Sequence, residues 1–158
     1  MSLFAIDPGT TQSGYCTFDD NGRVVDADVV SNDYILSILR SEVAGPVVIE
    51  MMSSYGMPVG KEVLETLVWT GRFVEAKRSD VTRIFRKDVK LHLCHSARAK
   101  DANIWQAILD RYGGKEKAVG KKASPGPLYE VKSHARAALA VGLAWLDGLR
   151  SEGLNQEV

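Results

Sequence analysis

Cysteine is nearly absent from this sequence. Cys16 and Cys94 are the only two, and they stand far apart without a Cys-x-x-Cys spacing, so neither a disulfide framework nor a zinc site is signalled. Both read as small thiols in or near the core. No apolar run approaches the roughly 20 residues that span a bilayer. The N-terminus Met-Ser-Leu-Phe-Ala-Ile-Asp has neither the basic leader nor the long apolar stretch of a signal peptide. The expectation is a cytoplasmic protein with no membrane partner. Internal repeats and a domain linker are also missing, as is any Gly-x-x-x-x-Gly-Lys-Ser/Thr phosphate loop. What remains, 158 residues of which 45% are hydrophobic, suits one globular domain over residues 1–158.

Net charge is absent too, since Lys and Arg number 20 and Asp and Glu number 20. The sum hides a gradient. Residues 71–140 carry 16 Lys and Arg against 7 Asp and Glu, a net of +9, whereas residues 1–70 carry 3 against 10, a net of −7. A neutral total with a strongly basic second half is compatible with a polyanion laid along one face. It is equally compatible with charges that cancel in three dimensions.

The hydrophobic pattern predicts an α/β fold. Leu3-Phe4-Ala5-Ile6 is a short apolar run stopped by Asp7-Pro8-Gly9-Thr10, which reads as a buried strand ending in a turn. Two further strands flank Asn21-Gly22, a hairpin dipeptide, so a three-stranded meander opens the chain. Asn32 is placed as the cap of a short helix, and Val47-Val48-Ile49 as a second buried strand ending in Glu50. From Val59 to about Lys77 a long helix carries Val63, Leu64, Leu67, Val68, Gly71 and Val74 on one stripe, with Trp69 and Phe73 on a second. A strand at Val81–Phe85 and a basic helix at Arg86–Leu93 follow. Next comes a helix over Ala102–Tyr112 with Asp101 as candidate cap. The Gly- and Pro-rich stretch 113–127, holding Lys115, Lys117, Lys121 and Lys122, reads as a flexible basic loop. Ser133 is the expected cap of a last helix that is apolar almost all round. The sum is a mixed central sheet flanked by helices.

Three residues stand out chemically. Asp7 and Glu50 each end a strongly apolar strand, and charged groups are rarely set beside a core unless something holds them there. If their strands are neighbours, both project into one crevice at the carboxyl ends of the sheet. His134, in the first turn of the last helix, suits the same crevice. Two carboxylates and an imidazole make a plausible site for Mg²⁺ or Mn²⁺ that activates water against a phosphodiester. Taken singly, each has a plain alternative: a turn cap for Asp7, an arginine partner for Glu50, a satisfied first-turn imidazole for His134.

Several segments together resemble a known family. They are Leu3 to Gly9 (LFAIDPG), Val47 to Glu50 (VVIE), the helix with Gly60, Glu65 and Gly71-Arg72-Phe73, Val89-Lys90 with Ala99-Lys100-Asp101, and Ser133-His134 leading into Ala137-Ala138-Leu139-Ala140. Over Met1 to about Leu146 the chain resembles the RuvC-type Holliday junction resolvases, particularly their phage-borne branch. The resemblance implies a ribonuclease H-like fold, a homodimer acting in a host cytoplasm, and Mg²⁺-dependent paired nicking of four-way DNA junctions, with Mn²⁺ as a substitute. It carries the family's metal-binding and catalytic positions onto Asp7, Glu50 and His134. The family's next carboxylate, one turn after His134, falls on Ala137, which is a departure. Three explanations stay open: fewer protein ligands with more water, a substitute carboxylate at Glu130, or a protein that binds junctions without cutting them.

The resemblance also sorts the remaining residues. Tyr55 falls where the family presents a wedge to the junction, although a Tyr packed on its neighbouring methionines reads equally well. Arg72, Arg83, Arg86, Lys87, Lys90, Arg98, Lys100, Lys115, Lys117, Lys121 and Lys122 offer phosphate contacts, which position DNA without reading sequence. Lys100 and Lys132 are further candidates for stabilising charge at the reacting phosphate, although either reads equally well as a surface bystander, Lys132 above all. Leu67, Trp69 and Phe73 are assigned to packing or a dimer interface. A rival reading comes from Asp7-Pro8-Gly9-Thr10-Thr11, which also resembles the phosphate loop of actin-like ATPases and sugar kinases. Those proteins close two such domains over a nucleotide, and 158 residues supply one.

Overall fold

The structure, a computed structural model, describes residues 2–41, 45–54 and 56–151. Strands β1 (Leu3–Asp7), β2 (Gln12–Phe18) and β3 (Val24–Ser31) form the expected antiparallel meander. Gly22 takes the left-handed φ of 74° that the β2–β3 turn needs, and the Asp19 carboxylate accepts from the backbone N–H groups of Asn21 and Arg23. Helix α1 (Asn32–Arg40) leads to β4 (Val47–Met51), which pairs parallel to β1. Helix α2 (Lys61–Lys77) then leads to β5 (Val81–Phe85), parallel to β4. The sheet order is β3-β2-β1-β4-β5.

Side chains alternate across a strand, and here the alternation builds two cores. Phe4, Ile6, Tyr15, Val47 and Ile49 face α1 and α2, where they meet Ile35, Leu36, Leu39 and Phe73. Leu3, Ala5, Cys16, Phe18, Val48 and Ile84 face the other way, against α3 (Arg86–Cys94), α4 (Asp101–Arg111) and α6 (Ala135–Leu146). Helix α6 is apolar almost all round, Arg136 excepted, because it lies under both the sheet and the two outer helices. Two glycines let it approach closely. A Cβ on Gly142 would come within 2.3 Å of the Phe18 ring, and one on Gly14 within 2.3 Å of the His134 carbonyl oxygen.

Four expectations are corrected. The long helix presents Thr66, Thr70 and Phe73 to the core, whereas Leu64 and Val68 are 53% and 59% exposed. The pattern misled because Thr70 satisfies its hydroxyl on the Thr66 carbonyl within the helix, at 3.0 Å, so a threonine pair can be buried without cost to outside partners. Phe73, with no exposed surface, is therefore a core residue rather than an interface candidate, while Leu67 and Trp69 stay half-buried.

The stretch 113–127 is folded, not a loose loop: α5 (Lys115–Ala118) precedes a hairpin of β6 (Gly120–Lys121) and β7 (Ser124–Pro125). Ala118 and the following Leu128 are fully buried, and Leu128 N–H donates to the Ala118 carbonyl at 2.8 Å. Gly120 and Gly126 lie against backbone where a Cβ would not fit, and Lys115, Lys117, Lys121 and Lys122 are all exposed. Ser31, not Asn32, caps α1, accepting from the Tyr34 N–H at 3.2 Å. Asn32 is instead buried: its Nδ2 donates to the Gly9 carbonyl at 2.9 Å, and its Oδ1 accepts from Ser13 Oγ at 2.6 Å. Ser13 Oγ in turn accepts from the Gly9 N–H at 3.2 Å. This buried bridge pins the turn that follows Asp7. Among the described residues, no helix is long and apolar enough to cross a membrane.

Candidate active site

Asp7 closes β1, and Glu50 is the penultimate residue of β4. Ile6 is in register with Ile49, so the next residue on each strand, Asp7 and Glu50, stand side by side. Both share the parity of Ala5 and Val48 and so point toward α6. Glu50 is 5% exposed and the Asp7 side chain 12%. Burial pushes Asp7 up to about 7; Arg86 pulls it down and Asp101 pushes it further up. Burial, then the neighbouring Asp7, pushes Glu50 up to about 8, against the attraction of Arg86 and Lys90. Two carboxylates are thus held where their joint charge is poorly tolerated, a kind of placement that clusters at functional sites and makes this pair a candidate.

His134 arrives at the head of α6. Ser133 does not cap that helix; it takes a left-handed φ of 52°, turning the chain sharply so that His134 occupies the cap position. The imidazole is 73% exposed, with Nδ1 3.4 Å from Asp7 Oδ2. The absence of a Cβ on Gly14 is what lets this helix end sit down on β2. Ala137, one turn on, lines the same cleft, so the departure seen in the sequence is a true gap in the wall. Glu130 does not fill it. The helix begins only at Ala135, the turns before it bury Leu128 and Val131, and Glu130 opens with Lys132 onto a separate groove against β3.

Two grooves meet at the carboxylates. One, of about 640 Å³, runs between α3, α4 and α6 and is lined by Asp7, Glu50, Arg86, Asp101, Trp105 and Arg136 among others. The other, of about 420 Å³, is lined by the Pro8–Gln12 turn, Met52 and the first turns of α2, with Glu62 and Thr66. Asp7, Glu50, Arg86 and His134 border both. Among the described residues no three His, Cys, Asp or Glu side chains form a ready-made metal cluster. Asp7 and Glu50 are nevertheless hard oxygen donors in a crevice that lacks enough positive charge, which fits a divalent cation that keeps part of its water.

The sequence reading gave Asp101 and Arg86 other roles and left out Arg136 and Trp105. Asp101 is not merely a helix end: its carboxylate hydrogen-bonds the Arg86 guanidinium, whose other nitrogen lies 3.6 Å from Glu50 Oε1. Arg86 is therefore part of the site rather than a free phosphate contact. Arg136 stacks 4.1 Å over the Trp105 ring in the cleft wall. No periodicity signals such contacts, because their partners sit on different elements. Of the other basic candidates, Lys87, Arg98 and Lys100 are exposed near the cleft helices and Lys90 is half-buried. Arg72 is exposed and stacks on Trp69 at 4.1 Å. Arg83 shares the parity of Val81 and lies on the sheet face opposite the carboxylates. Tyr55 lies outside the described residues.

Two solved structures have the same chain path. A Thermus thermophilus RuvC structure matches with a TM-score of 0.62 at 19% identity, covering 96% of this chain and 99% of that one. A T. thermophilus RuvC in complex with a Holliday junction substrate matches with a TM-score of 0.62 at 20% identity, over 90% and 91%. The fold is that of RuvC. The mixed sheet expected from the sequence is accordingly the ribonuclease H-like sheet of RuvC. No protein-family model and no curated protein matches the sequence.

Proposed function

We propose that this chain is a structure-selective DNA endonuclease that resolves Holliday junctions and other branched DNA by divalent-metal-dependent phosphodiester hydrolysis. The observation that carries the reading is the pair Asp7 and Glu50, adjacent on neighbouring parallel strands and buried at the mouth of two grooves in a RuvC fold. Its solved neighbour in complex with a Holliday junction supports the choice of substrate. Asp7 and Glu50 would hold Mg²⁺ or Mn²⁺, with His134 beside Asp7 as the third donor. Bound there, the ion supplies Lewis-acid stabilisation and an activated water for in-line attack. The protein's own part is to orient the carboxylates through the Gly9–Ser13–Asn32 bridge, to seat His134 through the close approach at Gly14, and to offer basic side chains that fix the phosphate path. Lys100, at the head of α4 next to Asp101, is the lysine assigned to charge at the reacting phosphate; Lys132 opens onto the separate groove against β3 and is a surface bystander.

Paired nicking requires two sites related by a two-fold axis, and a homodimer provides them. The unpartnered aliphatic stripe of α2, Leu64 and Val68 with half-buried Leu67, supports a second copy as its cover. The companion reading is a junction-binding dimer that cuts poorly, favoured by Ala137 in the cleft wall. A labelled synthetic four-way junction incubated with protein and Mg²⁺ separates the two. Paired nicks that vanish in Asp7→Asn while the gel-shifted complex persists support the nuclease. A retained but intact junction leaves the binding protein, and equal retention of plain duplex removes both.

A further inference from the structure

Arg86 opens α3 directly after β5, one residue beyond the position paired with Met51, so its guanidinium reaches over Glu50. It is strung between two unlike carboxylates. Glu50 is 5% exposed and its nearest oxygen is 3.6 Å away, too far for a hydrogen bond; Asp101 is 81% exposed and hydrogen-bonds the other nitrogen. The expected preference is the reverse. A guanidinium gains most from a buried anion and forms a two-pronged pair with it wherever the approach is open. Here the exposed carboxylate wins the hydrogen bond, and the buried one keeps its oxygens directed at the cleft.

We propose that Asp101 is a positioning residue that holds Arg86 back from Glu50, so that the guanidinium offsets part of the buried charge without taking the place of a divalent cation. The assignment rests on the metal-site reading of Asp7 and Glu50. In this arrangement Arg86 is a resident counter-cation that offsets part of the charge of two adjacent carboxylates and is tethered so that it does not close on them. Without the tether, it closes onto Glu50 and competes with the incoming ion. That competition matters more here than in a site with many ligands, since Ala137 contributes none.

The test measures Mn²⁺ binding without DNA, by calorimetry or by the loss of the free-ion electron paramagnetic resonance signal. The proteins are the full chain, Asp101→Asn, Arg86→Gln, the double variant, and Asp7→Asn as the site control. Altering a residue that orients a metal ligand typically weakens the metal about 10- to 100-fold, and Asp101→Asn is expected to fall in that range. In the Arg86→Gln background the same change should cost about twofold or less, the effect of one screened surface charge. Such non-additivity is the signature of one residue acting through the other. Equal losses in both backgrounds overturn the proposal and make Asp101 a direct or long-range electrostatic contributor. Undiminished binding by Asp101→Asn also overturns it, leaving the metal site intact. If the unaltered chain binds no Mn²⁺, or binds it equally well as Asp7→Asn, the metal reading itself falls and the proposal with it. Should Arg86→Gln melt below the assay temperature, Arg86→Met, which fills the same space without charge, takes its place in the cycle.

Discussion

Asp7 and Glu50 tie the stability of the protein to pH with an unusual sign. A carboxylate whose pKa is higher in the folded than in the unfolded chain keeps its proton in the native state where the unfolded state has lost it. Stability then falls as pH rises from the ordinary carboxylate range, about 4, through the folded values of about 7 and about 8. The metal-free protein should therefore melt at a higher temperature at pH 5.5 than at pH 8.5, and added Mg²⁺ should recover more of the loss at the higher pH, because metal binding needs both groups ionised. Differential scanning calorimetry with and without EDTA checks both statements. Asp7→Asn removes one of the two charges, so at pH 8.5 without metal it should melt above the unaltered protein, a difference that shrinks toward pH 5.5. Both carboxylates and His134 were legible in the sequence because each sits where an apolar run meets a boundary. Asp101 was not, since its meaning depends on Arg86 reaching across from another helix.

At the scale of elements, the contact between α6 and β2 decides whether the site exists. Gly14 stands opposite Asp7 in the β1–β2 register, and a methyl group there would meet backbone rather than a flexible side chain. Gly14→Ala should therefore force the head of α6 away from the sheet, costing stability of about 1–3 kcal/mol as overpacking does. It should also lower cleavage and weaken Mn²⁺ binding more than equally destabilising core changes elsewhere. Urea melts combined with Mn²⁺ titration check the pair. The opening meander, the later strands and most helices could be anticipated from short apolar runs and turn residues, whereas the place of β4 beside β1 came from the structure. The facing of α2 could not, because Thr66 and Thr70 look polar in sequence yet are buried, with the Thr70 hydroxyl bonded to the Thr66 carbonyl inside the helix. The stretch 113–127 failed for a similar reason: glycine and proline there serve a tight hairpin packed over Ala118, and composition does not distinguish that from a loose loop.

For the whole molecule, the charge gradient and the α2 stripe yield separate tests. The basic excess of residues 71–140 predicts that junction affinity falls steeply with salt, with a log–log slope that loses about 1 for each phosphate contact removed. Replacing Lys121 and Lys122 together by Gln should lower the slope by about 2 if both lie on the DNA path, read from binding isotherms at several salt concentrations. Sedimentation at micromolar concentration should show a dimer, and Leu64→Glu with Val68→Glu should leave a monomer with an unchanged circular dichroism spectrum, since neither side chain belongs to the core. The zero net charge is a sum of unlike parts: an acidic stretch, residues 1–70, that holds Asp7 and Glu50, and a basic stretch, residues 71–140.

The crowded pair at the heart of the cleft has a practical consequence for anyone altering this protein in the laboratory. The chain holds two crowded, buried acids where it is proposed to work, so one way to toughen it is by substitutions that relieve positions 7 and 50. A selection that rewards heat resistance or expression alone would drift toward amides there and return sturdy, inactive variants. Only a screen that demands cutting and endurance together would keep the two acids in place.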